Sequence, residues 1–262
     1  MKCSSSKEVA LDQKGVVENF KDKDGIEQVL IRSPRGASLL VSLHGGQVLS
    51  WKTERGEELL FISSKSKFKP PNSVRGGIPI CFPQFGKGGA LEQHGFARNK
   101  MWVTDADPPA LPPHDSVGKS FVDLLLKSND VDMKTWLHSE VRVEGLETLD
   151  YLDNLFQRER FTEQGDALTF ESEVDRLYVD SKDVVAVYDH EKKRTFHIIK
   201  EGLPDIAVWN PWDKKSKSMT DLGDDEYKRM LCVDGAAAER PITLKPGEEW
   251  TGRLELIFVR AS

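Results

Sequence analysis

Apolar residues recur along this chain mostly at every second position, the period of a half-buried strand. In "ASLLVSLHGGQVLSW", Leu39, Val41 and Leu43 share one face before Gly45–Gly46 turns the chain. "ALTFESEV" sets Leu168, Phe170 and Val174 on one side and Thr169, Glu171 and Glu173 on the other. "DVVAVYDHEKKRTFHIIKEG" predicts a hairpin, with Val185 and Val187 outgoing, a polar turn near His190–Lys193 and a return strand. In "ITLKPGEEWTGRLELIFV", Pro246–Gly247 turns into a strand whose Leu254, Leu256 and Phe258 share a face. Helical periodicity is scarce, and "DDEYKRMLC" (residues 224–232) predicts one short helix. Closely spaced strands with turn signals between them predict an all-β sandwich or barrel. The proline-rich "DADPPALPPHDS", residues 105–116, reads as a loop inside a single domain spanning residues 1–262.

Composition narrows the partners. The chain has 262 residues, 37 Lys and Arg against 43 Asp and Glu, and a formal charge of −6. That balance argues against a broad nucleic-acid surface or an anionic-membrane surface, while leaving room for a local basic pocket. The first residues, "MKCSSSKEVALDQKG", contain no apolar core of a secretory signal, and no apolar run is long enough to span a bilayer. Cys3, Cys81 and Cys232 form neither a disulfide framework nor a zinc set, so a reduced, cytoplasmic setting is expected. The six histidines lack metal-ligand spacing, so no metal site is expected. A monomer is favoured. "PHDSVGKS" ends like a phosphate-cradling loop, but Pro113 stands where that loop needs glycine.

One stretch differs from the rest. "SVRGGIPICFPQFGKGGALEQHGFAR", residues 73–98, sets Arg75, Gln93, His94 and Arg98 among glycines and prolines. Guanidinium groups are fixed forks of donors suited to carboxylate or phosphate. Gln93 can both donate and accept, as sugar hydroxyls require, and His94 can exchange a proton near neutrality. Gly76, Gly77 and Gly95 let a ligand approach the backbone. The residue types leave two readings open: a ligand pocket, or turns decorated with solvated or carboxylate-paired arginines.

The same residues carry a resemblance. "SVRGGIPICFPQFG" followed by "QHGFAR" resembles the signature of the glucose-6-phosphate 1-epimerases (hexose-6-phosphate mutarotases) of the aldose-1-epimerase-like group. The plant members, including apospory-associated protein C, are the most similar. The likeness continues through "EVRVEGLETLDYLDN", "ERFTEQGDALTFESEVDRLY", "DHEKKRTF", "EGLPDIAVWNPW" and "ITLKPGEEW". It implies a large β-sandwich of the galactose-mutarotase type. It also implies interconversion of the α and β anomers of a hexose 6-phosphate without cofactor or metal. In that chemistry a base takes the C1 hydroxyl proton while an acid protonates the ring oxygen, and the ring opens, rotates and recloses.

Carried over by position, the resemblance assigns Arg75, Gln93, Arg98 and Asp175 to substrate binding. It places His94 at a sugar oxygen and Asp234 at the family's catalytic base. It puts Trp209, Asn210 and Trp212 of "VWNPW" near the pocket, in packing and structural roles.

Two departures accompany it. The family carries several strands after "WLHS", including one with the acid histidine in a His-Thr-Tyr-Phe-like motif, whereas here "KTWLHSE" runs straight into "VRVEGLETLDYLDN". His138 falls before that gap and is not the acid. At the position that the resemblance assigns to the base, in "MLCVDGAAAERPITL", this chain has Asp234 where the family has Glu. Losing the acid removes a contribution of roughly 10²–10⁴-fold, and a displacement of about 1 Å in the base costs on the order of 10²-fold. The resulting expectation is a mutarotase shortened by several strands, with a non-catalytic sugar-phosphate-binding homologue as the alternative.

Overall fold

In a computed structural model the described residues are 15–86, 91–106, 122–126, 146, 148–164, 168, 170–189, 192–240 and 242–260. The segments around Pro113, His138 and His190, and most of the proline-rich loop, lie outside them.

The chain begins as a four-stranded antiparallel meander of β1 (Val16–Lys21), β2 (Glu27–Arg32), β3 (Ser38–Ser42) and β4 (Gln47–Lys52). The alternation expected from Leu39 to Leu43 holds: Val41 and Leu43 are buried with Val29 of β2, and Leu39 packs against them. The turn into β4 uses Gly45 and Gly46 at φ of 79° and 58°. A side chain on Gly45 would run into the carbonyl of Arg98, so this turn seats the meander directly against the distinctive segment.

Two further sheets form the sandwich. Strands β10 (Val184–Asp189), β11 (Arg194–Glu201) and β14 (Arg253–Arg260) pair in that order. The predicted hairpin is β10–β11, and the predicted C-terminal strand is β14. A five-stranded sheet runs β13 (Cys232–Ala236), β12 (Asp205–Asn210), β9 (Val174–Tyr178), β7 (Asp150–Asp153) and β8 (Glu159–Thr162). The two sheets pack through Val174, Tyr178, Ile206 and Val208 on one side and Val185 and Ile198 on the other. Fully burying one such side chain stabilises by ~1.5–3 kcal/mol, so this layer is the main cohesive contact. A short pair, β5 (Val103–Thr104) with β6 (Leu124–Leu125), completes the described strands.

Three local expectations change. Leu168, Phe170 and Val174 do pack on one core cluster, but strand β9 starts only at Val174 after a bend at Glu171–Ser172. The segment 224–232 is not an α-helix: a single 3-10 turn over Glu226–Arg229 gives way to β13. The one α-helix among the described residues, α1 (Trp212–Ser218), is polar on most of its surface and buries only Ser216 fully. Its sequence, "WDKKSKS", therefore carries no amphipathic signal.

Candidate active site

Strand register decides which side chains share the second face of the five-stranded sheet. Trp209 of β12 stands opposite Asp175 of β9 and opposite Cys232 of β13, and Ala207 stands opposite Leu177 and Asp234. Because side chains alternate along a strand, Asp175, Trp209, Cys232 and Asp234 all point away from the inter-sheet core. Leu152, Leu177, Ala207 and Ala236 share this second face, and Phe85 of the glycine-rich segment packs on them. The segment thus roofs the face that bears both aspartates.

Asp234 is half-buried, and among the described residues its carboxylate accepts no hydrogen bond. Burial alone lifts its pKa to about 6. Two thiols flank it: burial, followed by the Asp234 charge, pushes Cys81 up to about 12 and raises Cys232 also. Neither cysteine is a thiolate at neutral pH. Asp175 accepts a bond of 2.7 Å from the Asn154 amide. Burial raises its pKa, and the Asn154 bond acts against that rise.

His94 sits at φ 70° and is held from both sides. Its N–H donates to Gly86 O at 2.9 Å, and the Gly86 N–H donates to its Nδ1 at 3.2 Å. The network therefore assigns the ring proton to Nε2. Burial, then the charges of Arg98 and Arg75, lower the imidazole to about 4. At neutral pH it is an uncharged donor. Gln93, next to it, is solvent-exposed.

The arginines are positioned from several elements. Buried Gln47 of β4 donates its amide to Val74 O at 3.1 Å and Gly76 O at 2.6 Å, fixing the backbone on both sides of Arg75. The Arg75 guanidinium grips Asp221 Oδ2 through Nε at 3.1 Å and Nη2 at 3.0 Å. Its Cζ lies over the Trp209 ring, 5.9 Å from the centroid. Arg98 donates through Nε to Ser73 Oγ at 2.8 Å, and Ser73 in turn donates to Asn99 Oδ1 at 2.6 Å. Its two Nη groups bond nothing among the described residues. Burial, and repulsion by Arg75, pull the Arg98 pKa down.

A single buried carboxylate ties these parts together. Glu226 accepts from Ser63 Oγ at 2.6 Å, Ser64 N at 3.0 Å and Gly223 N at 2.8 Å. It joins the segment leading to Arg75 with the one carrying Asp221. Three hydrogen bonds outweigh burial and hold its pKa down at about 2. Asn210 has the structural role expected of it, donating to Tyr227 O and Met230 O at 2.9 Å each, while Trp212 packs on Tyr227.

The structure thus gathers Arg75, His94, Arg98, Asp175 and Asp234 around one side of one sheet, with Gln93 at the exposed margin. Sequence reasoning missed Gln47, Gln84, Asp221 and Glu226, which set that geometry. Gln84 is buried, and its amide donates to Gly86 O at 3.1 Å and accepts from Leu91 N at 3.1 Å, bracing the loop around His94. Only Gln84 lay in the glycine-rich stretch from which candidate ligand residues were drawn; Gln47 and Glu226 lay in segments read for secondary structure alone. Among the described residues no three His, Cys, Asp or Glu side chains gather to hold a metal.

Comparison with known proteins agrees with this architecture. The aldose 1-epimerase family profile matches residues 27–131 and 124–256, two pieces that meet near β6. A Cenchrus ciliaris protein with the provisional name glucose-6-phosphate 1-epimerase is 51% identical, over 94% of this chain and 88% of its own length. The aligned span of 292 residues exceeds the 262 of this chain, so the relative carries residues inside it that this chain lacks. An Escherichia coli K12 protein with the same provisional name is 28% identical over 87% of this chain and 89% of its own. In structure, a provisionally named mutarotase from Salmonella typhimurium, YeaD, superposes with a TM-score of 0.78 at 22% identity, covering 94% of each chain. The fold is that of the galactose-mutarotase-like sandwiches.

Proposed function

The chain belongs to the aldose 1-epimerase family, and on that premise we propose that it interconverts the α and β anomers of D-glucose 6-phosphate and related hexose 6-phosphates. The observation that carries this reading is Asp234. A half-buried carboxylate that accepts no hydrogen bond among the described residues, with a pKa of about 6, is ionised at neutral pH and able to take a hydroxyl proton. Asp175, two strands away on the same face of the sheet, holds ring hydroxyls, with Arg75 and Gln93 at the sugar and Arg98 at the phosphate.

In the reaction, Asp234 takes the proton of the C1 hydroxyl and the bond from C1 to the ring oxygen breaks, leaving the aldehyde. The ring oxygen gains a proton from water, because His94, with a pKa of about 4, carries no surplus proton at neutral pH. The Nε2–H of His94 donates to the oxygen on which charge develops, an electrostatic role for a neutral imidazole. Rotation about C1–C2 and closure in reverse give the other anomer. The residues present require no metal or cofactor for these steps.

A second reading is a protein that binds sugar phosphates without catalysis. It is favoured by the two-piece family match and by the internal residues that the Cenchrus relative has and this chain lacks. Anomer exchange of glucose 6-phosphate followed by NMR separates the two. Exchange faster than the spontaneous rate supports the enzyme, and binding with no acceleration supports the second reading.

A further inference from the structure

The cleft in front of Arg98 is not lined by Arg75. A cavity of about 310 Å³ is lined by Lys67, Asn72, Ser73, Arg98, Thr220 and Asp221. Two cations face it from opposite segments, Lys67 before the glycine-rich stretch and Arg98 at its end. Arg75 lies behind Asp221, which answers its charge at 3.0 Å.

We propose that the phosphate of the substrate is held between Lys67 and Arg98 across this cleft, with Arg75 committed to Asp221 and Trp209. The inference rests on the sugar-phosphate reading above and assigns the residues of its anionic end. Three features support it. Among the described residues Lys67 has no carboxylate partner, and Arg98 keeps both Nη groups unbonded, so both are available to oxygen acceptors. The Thr220 hydroxyl adds a neutral donor on the same wall. Finally, Lys67, Arg98 and Arg75 less Asp221 leave two positive charges, matching a phosphate monoester of about −1.5 to −2 at pH 7.

Asp221 then acts as a positioning residue. It occupies the Nε and Nη2 edge of the Arg75 guanidinium, whose Cζ lies over the Trp209 ring. Without that carboxylate Arg75 would compete for the phosphate and misplace the sugar ring relative to Asp234.

The test is calorimetric titration of wild type, Lys67→Met and Lys67→Arg with glucose 6-phosphate, glucose and inorganic phosphate. A Lys21→Met variant on β1 controls for lost net charge. Lys67 is exposed, so its substitution leaves the core untouched. The expected result is a loss of about tenfold for glucose 6-phosphate and phosphate in Lys67→Met, recovery in Lys67→Arg and no change for glucose. Lys67→Met binding glucose 6-phosphate within about twofold of wild type overturns the assignment, provided wild type prefers it over glucose. If wild type shows no such preference, the sugar-phosphate reading itself fails and the assignment goes with it.

Discussion

Asp175 and Asp234 stand on the same face of one sheet, on the two strands that flank β12. Two strand spacings and one two-residue step separate them, roughly 12 Å between Cα atoms from standard sheet dimensions. Their environments differ: Asp175 is bonded to Asn154, whereas among the described residues Asp234 accepts no hydrogen bond.

That openness has a cost in stability with a definite sign. The folded pKa of Asp234 is raised from 3.8 to about 6, so its protonated form favours folding at low pH. This contribution is complete below about 4 and is lost as pH rises through about 6. Asp234→Asn should therefore be more stable than wild type at pH 8, by an order of 1–3 kcal/mol. The gap should shrink toward zero at pH 4. Thermal melts of both proteins across this range check it, and a gap independent of pH would contradict the environment described.

His94 should remain neutral down to about pH 4. Long-range proton–nitrogen NMR should show an Nε2–H tautomer at pH 6 and titration near 4. Adding inorganic phosphate should move that titration upward, because an anion at Arg98 offsets the charge that depresses it. Titration near 6.5 with no response to phosphate would remove His94 from the charged cluster.

Glu226 predicts the opposite pH behaviour from Asp234. Its folded pKa is depressed from 4.5 to about 2. Its stabilisation is present above about 4.5 and is lost as pH falls toward 2. Glu226→Ala leaves three donors without their acceptor and should cost about 2–4 kcal/mol at pH 7. It should also weaken glucose 6-phosphate binding, because Lys67 and Asp221 lose their common anchor. Urea unfolding at pH 7 and pH 3 tests the first claim, with a smaller loss expected at pH 3.

Gly95 should not tolerate a side chain. It lies at φ 69°, and a Cβ there would collide with the carbonyl of Phe82. Gly95→Ala is expected to lower stability by more than ~1 kcal/mol and to disturb His94 beside it. A stable Gly95→Ala protein with unaltered His94 resonances would show that the segment is looser than its hydrogen bonds suggest.

The elements legible in the sequence are those whose signal is local. Alternation at Leu39, Val41 and Leu43, or at Leu254, Leu256 and Phe258, reports a strand because neighbouring side chains face opposite ways. The glycine-rich stretch was legible for the same reason: its unusual residues lie within one short segment. What set the site's geometry was not local. Arg75 meets Asp221 across 146 positions and Ser63 meets Glu226 across 163, and nothing in either segment names its partner. The sequence likewise could not show that Arg75 is paired with a carboxylate while Arg98, among the described residues, keeps both Nη groups unbonded. Helix α1 escaped because a short polar helix has no periodic face to read.

The most direct measurement is anomer exchange of glucose 6-phosphate by two-dimensional NMR, with wild type, Asp234→Asn and Asp234→Glu. Wild type should exceed the spontaneous rate, with activity rising as pH increases through about 6, where the base ionises. Asp234→Asn should lose roughly 10²–10⁴-fold of that acceleration while still binding the sugar phosphate, and Asp234→Glu should gain reach and rate. If all three variants match the spontaneous rate, or if Asp234→Asn accelerates exchange as well as wild type, Asp234 is not the base and the catalytic account is wrong.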